Sequence, residues 1–441
     1  MERNDSQGLL NAASRRDFFK VSGAAALAAS GAGILSGCGS DGGSGGGGGE
    51  GITHSTWNVE ASIASFKDII SSYDGPGQPV TVTSSVGDDQ ISWFNTRVAS
   101  DTAPDVMTWT YQDMGRFAGK GLIDNTEYIP DGYKDDFVQG YWSGVQQGDG
   151  IYGIPLHTAG WATYMNTDIL DTIGVDVPAV DDPWDWDKFH EVAVEMKKVT
   201  GEYAFSWFLS GTSSRWLAVL YMHGGSVLNS DLTAPAIDSP EGVEAIEWSR
   251  KWFADGLMSP DNGLKASKSE TGETLFANEQ VGMMIASGFK MLALKDMMPK
   301  EKWTVGPLFR DVEKANNMGG NALVVTSSAQ DPEACAEYIK YMCNKDSMAQ
   351  FCEDSGFVPA RTSLVDEGLD WSYRPDLMQV FAKGSKDLPD EMAALQTMPA
   401  YSEIELLLTN QLDLCWTGQQ SSADTATAIS DQLKGILAKA Q

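Results

Sequence analysis

Histidine is scarce in this chain. His54, His157, His190 and His223 are the only four in 441 residues. None forms an HExxH pattern or a close ligand pair, so zinc chemistry has no support in the sequence. There is no GxSxG elbow for a serine nucleophile, no GxxxxGKS/T phosphate loop and no EF-hand spacing. The GxG at Gly31 to Gly33 follows no strand and is not a dinucleotide fingerprint. Basic residues are few: 31 Lys and Arg stand against 61 Asp and Glu, a formal net charge of −30. That balance argues against nucleic-acid binding and against adsorption to anionic lipid, and favours solubility. Beyond the first forty residues no uncharged apolar run approaches the roughly 20 residues of a membrane span. Carboxylates are so plentiful that counting singles out no glycosidase pair.

The N-terminus reads as an address. Ser14-Arg15-Arg16-Asp17-Phe18-Phe19-Lys20 fits a twin-arginine export signal. A small-residue apolar run from Val21 to Ile34 follows, too short to span a bilayer, as expected of a signal-peptide core. Leu35-Ser36-Gly37-Cys38 resembles a lipobox, which makes residues 1–37 the removable signal and Cys38 the lipidated first residue of the mature chain. Residues 38–51 are glycine-rich and suit a flexible tether. Residues 1–37 hold four basic and three acidic residues, so the mature part carries 27 basic and 58 acidic ones, a net of −31.

Four cysteines remain, Cys335, Cys343, Cys352 and Cys415, with no CxxC pair. Cys335 and Cys343 fall on one predicted helix about 12 Å apart by helical rise, too far to bridge. Buried free thiols are the favoured reading for both; a Cys343–Cys352 bond across the following turn is the alternative.

The body alternates strand and helix signals. Val80 to Val86, Asp105 to Trp109, Tyr152 to Leu156, Trp161 to Asn166, Val281 to Ala286 and Asn321 to Thr326 read as strands. Asp185 can cap a helix that puts Trp186, Phe189, Val192, Ala193 and Met196 on one face. Ser239-Pro240 predicts a capped helix with Val243, Ile246, Phe253 and Leu257 inward and Gly256 closing it. Asp331-Pro332 starts another, and from about Glu367 the chain reads as mainly helical. The alternation implies α/β layers with mostly parallel sheets.

What is abundant is tryptophan, 14 in all. Aromatic rings stack on the apolar faces of sugars. Trp186, Trp252 and Trp303 suit core positions. Trp109, Trp161, Trp207 and Trp216 lie at strand ends or in loop-like stretches and are candidates for a pocket.

An ordered set of short motifs then becomes recognisable. Phe94-Asn95-Thr96-Arg97, with Ala99-Ser100-Asp101-Thr102-Ala103-Pro104-Asp105-Val106, is similar to a helix and the "GTAPDV" strand start of a known family. Gly121-Leu122-Ile123-Asp124, Tyr152-Gly153-Ile154-Pro155, Tyr164-Met165-Asn166-Thr167-Asp168 and Pro183-Trp184-Asp185-Trp186 follow in that family's order. Phe276 to Met283, Gly319-Gly320 and Gly356-Phe357-Val358-Pro359-Ala360-Arg361 complete it. The chain thus resembles the family 1 extracellular solute-binding proteins, the maltose-binding type serving ABC importers. It departs from the pattern where Asp101 replaces the usual glycine and where Met165 replaces a tyrosine.

The resemblance implies a periplasmic-binding-protein-like type II fold, two α/β lobes joined by a three-segment hinge near Ile154–His157, Gly319–Asn321 and Phe357–Ser363. The first lobe would hold 52–155 and 322–360, the second 156–321 and 361–441. It implies a monomeric, non-enzymatic receptor on the outer face of the cytoplasmic membrane, without cofactor or metal. Its partners would be a small polar ligand, most simply a mono- or oligosaccharide, and the importer's permease. Expected ligand contacts are Asp88 and Asp89 after the Val80–Val86 strand, Trp109 and Tyr111 after the next one, His157 and Trp161 past the first crossing, and Trp207 and Trp216 in the second lobe. Gly288 and Phe289, Gly320 and Asn321 at the second crossing, and Arg361 at the third complete the set; Arg361 also suits a structural ion pair. Two other readings fit the residues: an exported glycan-cleaving enzyme, and a receptor for a polyamine-like cation.

Overall fold

Two sheets hold all the described strands but a short hairpin, Gln146–Gln147 with Gly150–Ile151, and the chain passes between the sheets at three places. The computed structural model describes residues 51–57, 59–84, 90–209, 212–265 and 270–440, all within one compact unit, Gly47–Gln441. The export signal, Cys38, all but the last residue of the tether, and Asp88 and Asp89 lie outside the described residues.

In chain order the strands of the two sheets are β1 (Ile52–Thr56), β2 (Val80–Ser84), β3 (Val106–Thr110), β4 (Ile154–Thr158) and β5 (Trp161–Asn166). They continue with β6 (Phe205–Trp207), β7 (Met283–Ser287), β8 (Trp303–Gly306), β9 (Asn321–Val325) and β10 (Val358–Pro359). The first sheet runs β10-β4-β9-β3-β1-β2 and the second β8-β5-β7-β6. The crossings are Ala159-Gly160 between β4 and β5, the stretch from Gly306 to Asn321, and the exit after Pro359.

The sheets are mixed rather than mostly parallel. Only β1 with β2, β1 with β3, and β6 with β7 run parallel. β9 returns from the other lobe and inserts antiparallel between β3 and β4, and β5 runs antiparallel to both its neighbours. Alternation of strand and helix signals the layers, but a strand that arrives from a different lobe has no crossover helix to fix its direction.

The helix signals translate closely. Asp185 Oδ1 accepts from the Lys188 amide and caps Trp186–Thr200, which buries Trp186, Phe189, Val192, Ala193 and Met196. Ser239 caps Pro240–Ala254 through the Gly242 amide. That helix is turned slightly from expectation: Ala245, Ile246, Ser249 and Trp252 are buried, with Val243 and Phe253 at the edge of the core. Asp331 caps Pro332–Met342. Asp101, where the family pattern has glycine, has φ 55°. Aspartate tolerates this left-handed region better than most residues, which explains why the turn survives. All four described cysteines are buried and free, so the Cys343–Cys352 alternative falls away.

Sequence reading grouped all of 361–441 with the second lobe. The helix Asp390–Thr397 instead packs on Gln139–Ser143 and Met114–Phe117, elements attached to the first sheet. Gln147 Nε2 donates to Thr397 O at 3.0 Å, and Tyr141 Oη donates to Ser385 O at 3.4 Å. The following helices, Tyr401–Trp416 and Ser422–Ala440, return to pack on Pro240–Ala254 of the second lobe. No helix among the described residues is long and apolar enough to cross a membrane.

Candidate ligand-binding cleft

The ends of strands from both sheets enclose a cleft of about 530 Å³, the size range of small-molecule sites and the usual place for them in open α/β sheets. Thr56 and Trp57 reach it from the end of β1, and Thr108, Thr110 and Gln112 from β3 and the turn after it. The opposite wall comes from β5, β6 and β7 and the turns that follow them, with Trp161, Ser206, Phe208 and Phe289. Asn317 to Asn321 form the floor where the chain crosses back.

The lining mixes ring faces with uncommitted polar atoms. His157 Nδ1, Trp161 Nε1, Ser206 Oγ, Asn262 Nδ2 and Asn317 Oδ1 are buried and meet no hydrogen-bond partner among the described residues, as do Nε and Nη1 of Arg215. Buried polar groups are ordinarily satisfied, so these atoms are available to a polar guest, although core nitrogens such as Trp109 Nε1 and Trp252 Nε1 are also unbonded. His157 stacks on Phe357 with centroids 4.0 Å apart, and burial pulls its pKa down to about 3, so its ring is neutral at physiological pH. Glu273 and Lys290 form a 2.5 Å ion pair in the wall. Burial works against the Glu273 carboxylate, but Lys290 holds its pKa below the usual range.

Of the residues expected from sequence, His157, Trp161, Phe289, Gly320 and Asn321 come together here. The others are placed elsewhere. Trp109 is 1% exposed and lies in the core between Phe94 and Phe117. Trp207 packs on Trp252 and Phe309, and Trp216 is buried with Nε1 donating to Ser249 Oγ at 3.0 Å. Tyr111 sits behind the wall, its hydroxyl within reach of His157 O at 3.3 Å and Asn321 O at 3.2 Å, so it braces two crossings. Gly288 is one residue off the lining, its amide donating to Ala159 O. Arg361 points into the first lobe. It donates from Nε to Cys343 O and from Nη1 to Asp136 Oδ2, both at 2.8 Å, and lies over the Phe137 ring. Its role is the structural ion pair.

Sequence reading missed Trp57, Phe208 and Arg215. In two cases it chose the neighbour. Successive strand residues face opposite ways, so Trp207 at the end of β6 enters the core while Phe208, 48% exposed, faces the cleft. In β3 the same alternation buries Trp109 and turns Thr108 and Thr110 to the cleft. Parity counted from the buried Phe205 would have found Phe208. Among the described residues no group of three or more His, Cys, Asp or Glu is placed to hold a metal ion.

Comparison with known proteins agrees with this geometry. The family model for bacterial extracellular solute-binding protein matches residues 65–379. A binding protein of Brucella abortus is 24% identical over 331 residues, 71% of this chain and 77% of its own length. The maltotriose-binding protein of Pyrococcus abyssi is 19% identical over 280 residues, 61% of this chain and 57% of its own. Among solved structures, an ABC transporter solute-binding protein of Thermotoga lettingae bound with α-D-tagatose superposes with a TM-score of 0.70 at 18% identity, covering 88% of this chain and 100% of that one. The GacH receptor of Streptomyces glaucescens, solved unliganded and with acarbose, gives 0.73 at 17% identity, covering 88% and 99%.

Proposed function

The chain therefore belongs to the bacterial extracellular solute-binding proteins, binders rather than enzymes, and on that premise we propose that it is the substrate-binding component of an ABC importer that captures an oligosaccharide between its lobes. The observation that carries this is the wall chemistry: aromatic faces of Trp57, Trp161, Phe208 and Phe289 beside buried donors and acceptors with nothing to bond. Rings take the apolar faces of a sugar and the polar atoms take its hydroxyls. Relatives named for maltotriose and arabinooligosaccharide binding support the same reading. A polycation finds little to hold it. Among the described residues the cleft offers one carboxylate, Glu273, and Lys290 occupies it.

Capture works by closure. The lobes are assigned as 52–155 with 322–360, and 156–321 with 361–441 less the helix Asp390–Thr397. They exchange between open and closed forms, and a guest touching both walls only in the closed form shifts the population toward it. His157, Trp161, Phe289, Gly320 and Asn321 contact the ligand, with Trp57 and Phe208 as ring platforms. The closed receptor docks on the permease as a monomer. Lipid on Cys38, reached through twin-arginine export, holds it to the outer face of the membrane, and the tether raises its effective concentration at the importer.

A thermal-shift screen of mono- and oligosaccharides tests the reading, since a ligand at 100 times its Kd stabilises the folded state by about 2.7 kcal/mol. A panel in which no saccharide raises Tm, while a non-carbohydrate does, refutes it. For the anchor, Cys38→Ser is expected to move the protein from the membrane fraction to the medium or periplasm; a wild-type protein already free of the membrane removes that part.

A further inference from the structure

One charge among the described residues of the cleft has no ion-pair partner. Arg215 lies against the ring faces of Phe208 and Trp161, its guanidinium carbon 4.7 and 5.2 Å from their centroids. Its Nε and Nη1 are buried without a hydrogen-bond partner, and no carboxylate of the described residues pairs with it. Glu405, whose carboxylate accepts from Thr212 Oγ1 at 2.5 Å, acts on Arg215 through space without bonding it. Burial draws the Arg215 pKa down to about 10, and Glu405 offsets this only in part. The other charges of the described lining cancel: Lys290 pairs with Glu273, and His157 is neutral. Among the described residues of a protein with a net charge of −30, the cleft therefore keeps one cation with no bonded carboxylate, Glu405 acting on it only through space. Arg215 is only partly buried, but holding two of its donors from water without a bonded partner is still costly, and two ring faces compensate the charge weakly compared with an anion.

A neutral sugar would satisfy the donors of Arg215 but leave its charge. An acidic sugar satisfies both, because guanidinium matches carboxylate in charge and in planar geometry. Resting on the carbohydrate-receptor reading, we infer that the ligand is an acidic saccharide whose ring carries a carboxylate, and that Arg215 receives that group while Phe208 and Trp161 flank it. Sulfate and phosphate esters share the anionic chemistry but present tetrahedral groups, and the test separates them.

The test is calorimetric titration of the mature chain with matched probes: trigalacturonate, its methyl ester, maltotriose, and galactose 6-sulfate and 6-phosphate beside galactose. The expected result is at least tenfold tighter binding of an acidic oligosaccharide than of its ester. Arg215→Gln is expected to bring the two within twofold while its Tm and circular dichroism match wild type. Arg215→Lys, which keeps the charge and loses the planar fork, should retain part of the preference. Should Arg215→Gln not fold, the ester comparison on the wild type still decides. Neutral saccharides binding as tightly as the acid overturn this inference and leave the receptor reading standing, as does a preference that survives Arg215→Gln. A sulfate or phosphate ester preferred over the carboxylate overturns the carboxylate assignment. No saccharide binding at all removes the carbohydrate reading and this inference with it.

Discussion

Gly320→Ala should both destabilise the protein and loosen the cleft. Gly320 has φ +93°, and a Cβ built there would meet His157 O at 2.2 Å and Thr158 Cα at 2.5 Å. Two costs follow. A non-glycine residue at such a φ costs about 1–3 kcal/mol. Forcing a methyl into a packed site costs about 1–3 kcal/mol more, because backbone must move. The combined loss is about 2–6 kcal/mol. An unfolding entropy of about 2.1 cal/mol/K per residue, over roughly 390 folded residues, gives about 0.8 kcal/mol per degree. Tm should therefore fall by about 3–7 °C. The obstruction is the His157 carbonyl, and β4 and β9 pair beside it with an irregularity between Asn321 and Ala322. Ligand affinity should accordingly drop with stability, because His157 and Asn321 both line the cleft. Gly148→Ala is the control: φ is +60° with nothing within 4 Å, so it carries only the backbone cost, about 1 kcal/mol or a degree or so. Calorimetric melts of the three proteins, with titration of a saccharide identified in the screen, decide the matter. A Gly320→Ala protein melting within a degree of Gly148→Ala and binding normally would refute the steric argument.

Stability should fall as pH drops from 6.5 toward 3. Burial lowers the pKa of both His54 and His157 to about 3, so between those pH values the unfolded chain binds protons that the folded one refuses, and stability is complete only above about 6.5. Urea midpoints measured across this window should rise with pH, and His54→Gln should flatten the slope; a flat wild-type profile contradicts the assignment. Arg361→Ala should cost about 1–3 kcal/mol, chiefly by leaving the buried Cys343 carbonyl unpaired, because Asp136 is partly exposed and keeps its bonds from Ser363, with saccharide Kd unchanged; a Kd raised tenfold at normal Tm would return Arg361 to the cleft. Phe208→Ala should leave Tm within about 2 °C of wild type, because the ring is 48% exposed, yet weaken saccharide binding about tenfold through loss of a stacking face. Unchanged affinity would remove Phe208 from the ligand's path.

The layers were legible because their signals are local. Asp185, Ser239 and Asp331 each cap a helix through the amide three residues on, a geometry that spacing alone specifies. β-branched runs mark β2 and β9 in the same way. Strand direction was not legible. β9 runs antiparallel between β3 and β4 because the chain arrives from the other lobe, and nothing within Asn321–Val325 records where it came from. The helix Asp390–Thr397 shows the same limit. Its apolar residues, Met392, Ala393 and Leu395, are buried whichever lobe covers them, and the choice is made by Gln147 and Tyr141 far away in sequence.

The cleft divides along a related line. The second crossing was expected at Gly319–Asn321, where Gly320 has positive φ, whereas the first was expected at Ile154–His157, which is strand β4, and the chain crosses two residues later at Ala159-Gly160. Pocket walls were found less well, because tryptophan serves the core and the ligand equally and the sequence weights both alike. Trp207 and Phe208 differ by one position and by the whole thickness of a sheet. Residue type nominated the larger ring, while parity decides which one a ligand can reach. Arg215 was harder still. Beside a net charge of −30 one more arginine is unremarkable, and its meaning arises only from what the fold withholds from it. Lys290 received Glu273 and Arg361 received Asp136, whereas among the described residues Arg215 received two aromatic faces and no bonded anion. Partners come from elements distant in the chain, so an unpaired charge is a property of the tertiary structure alone, and it is the property that bears most directly on what the cleft selects.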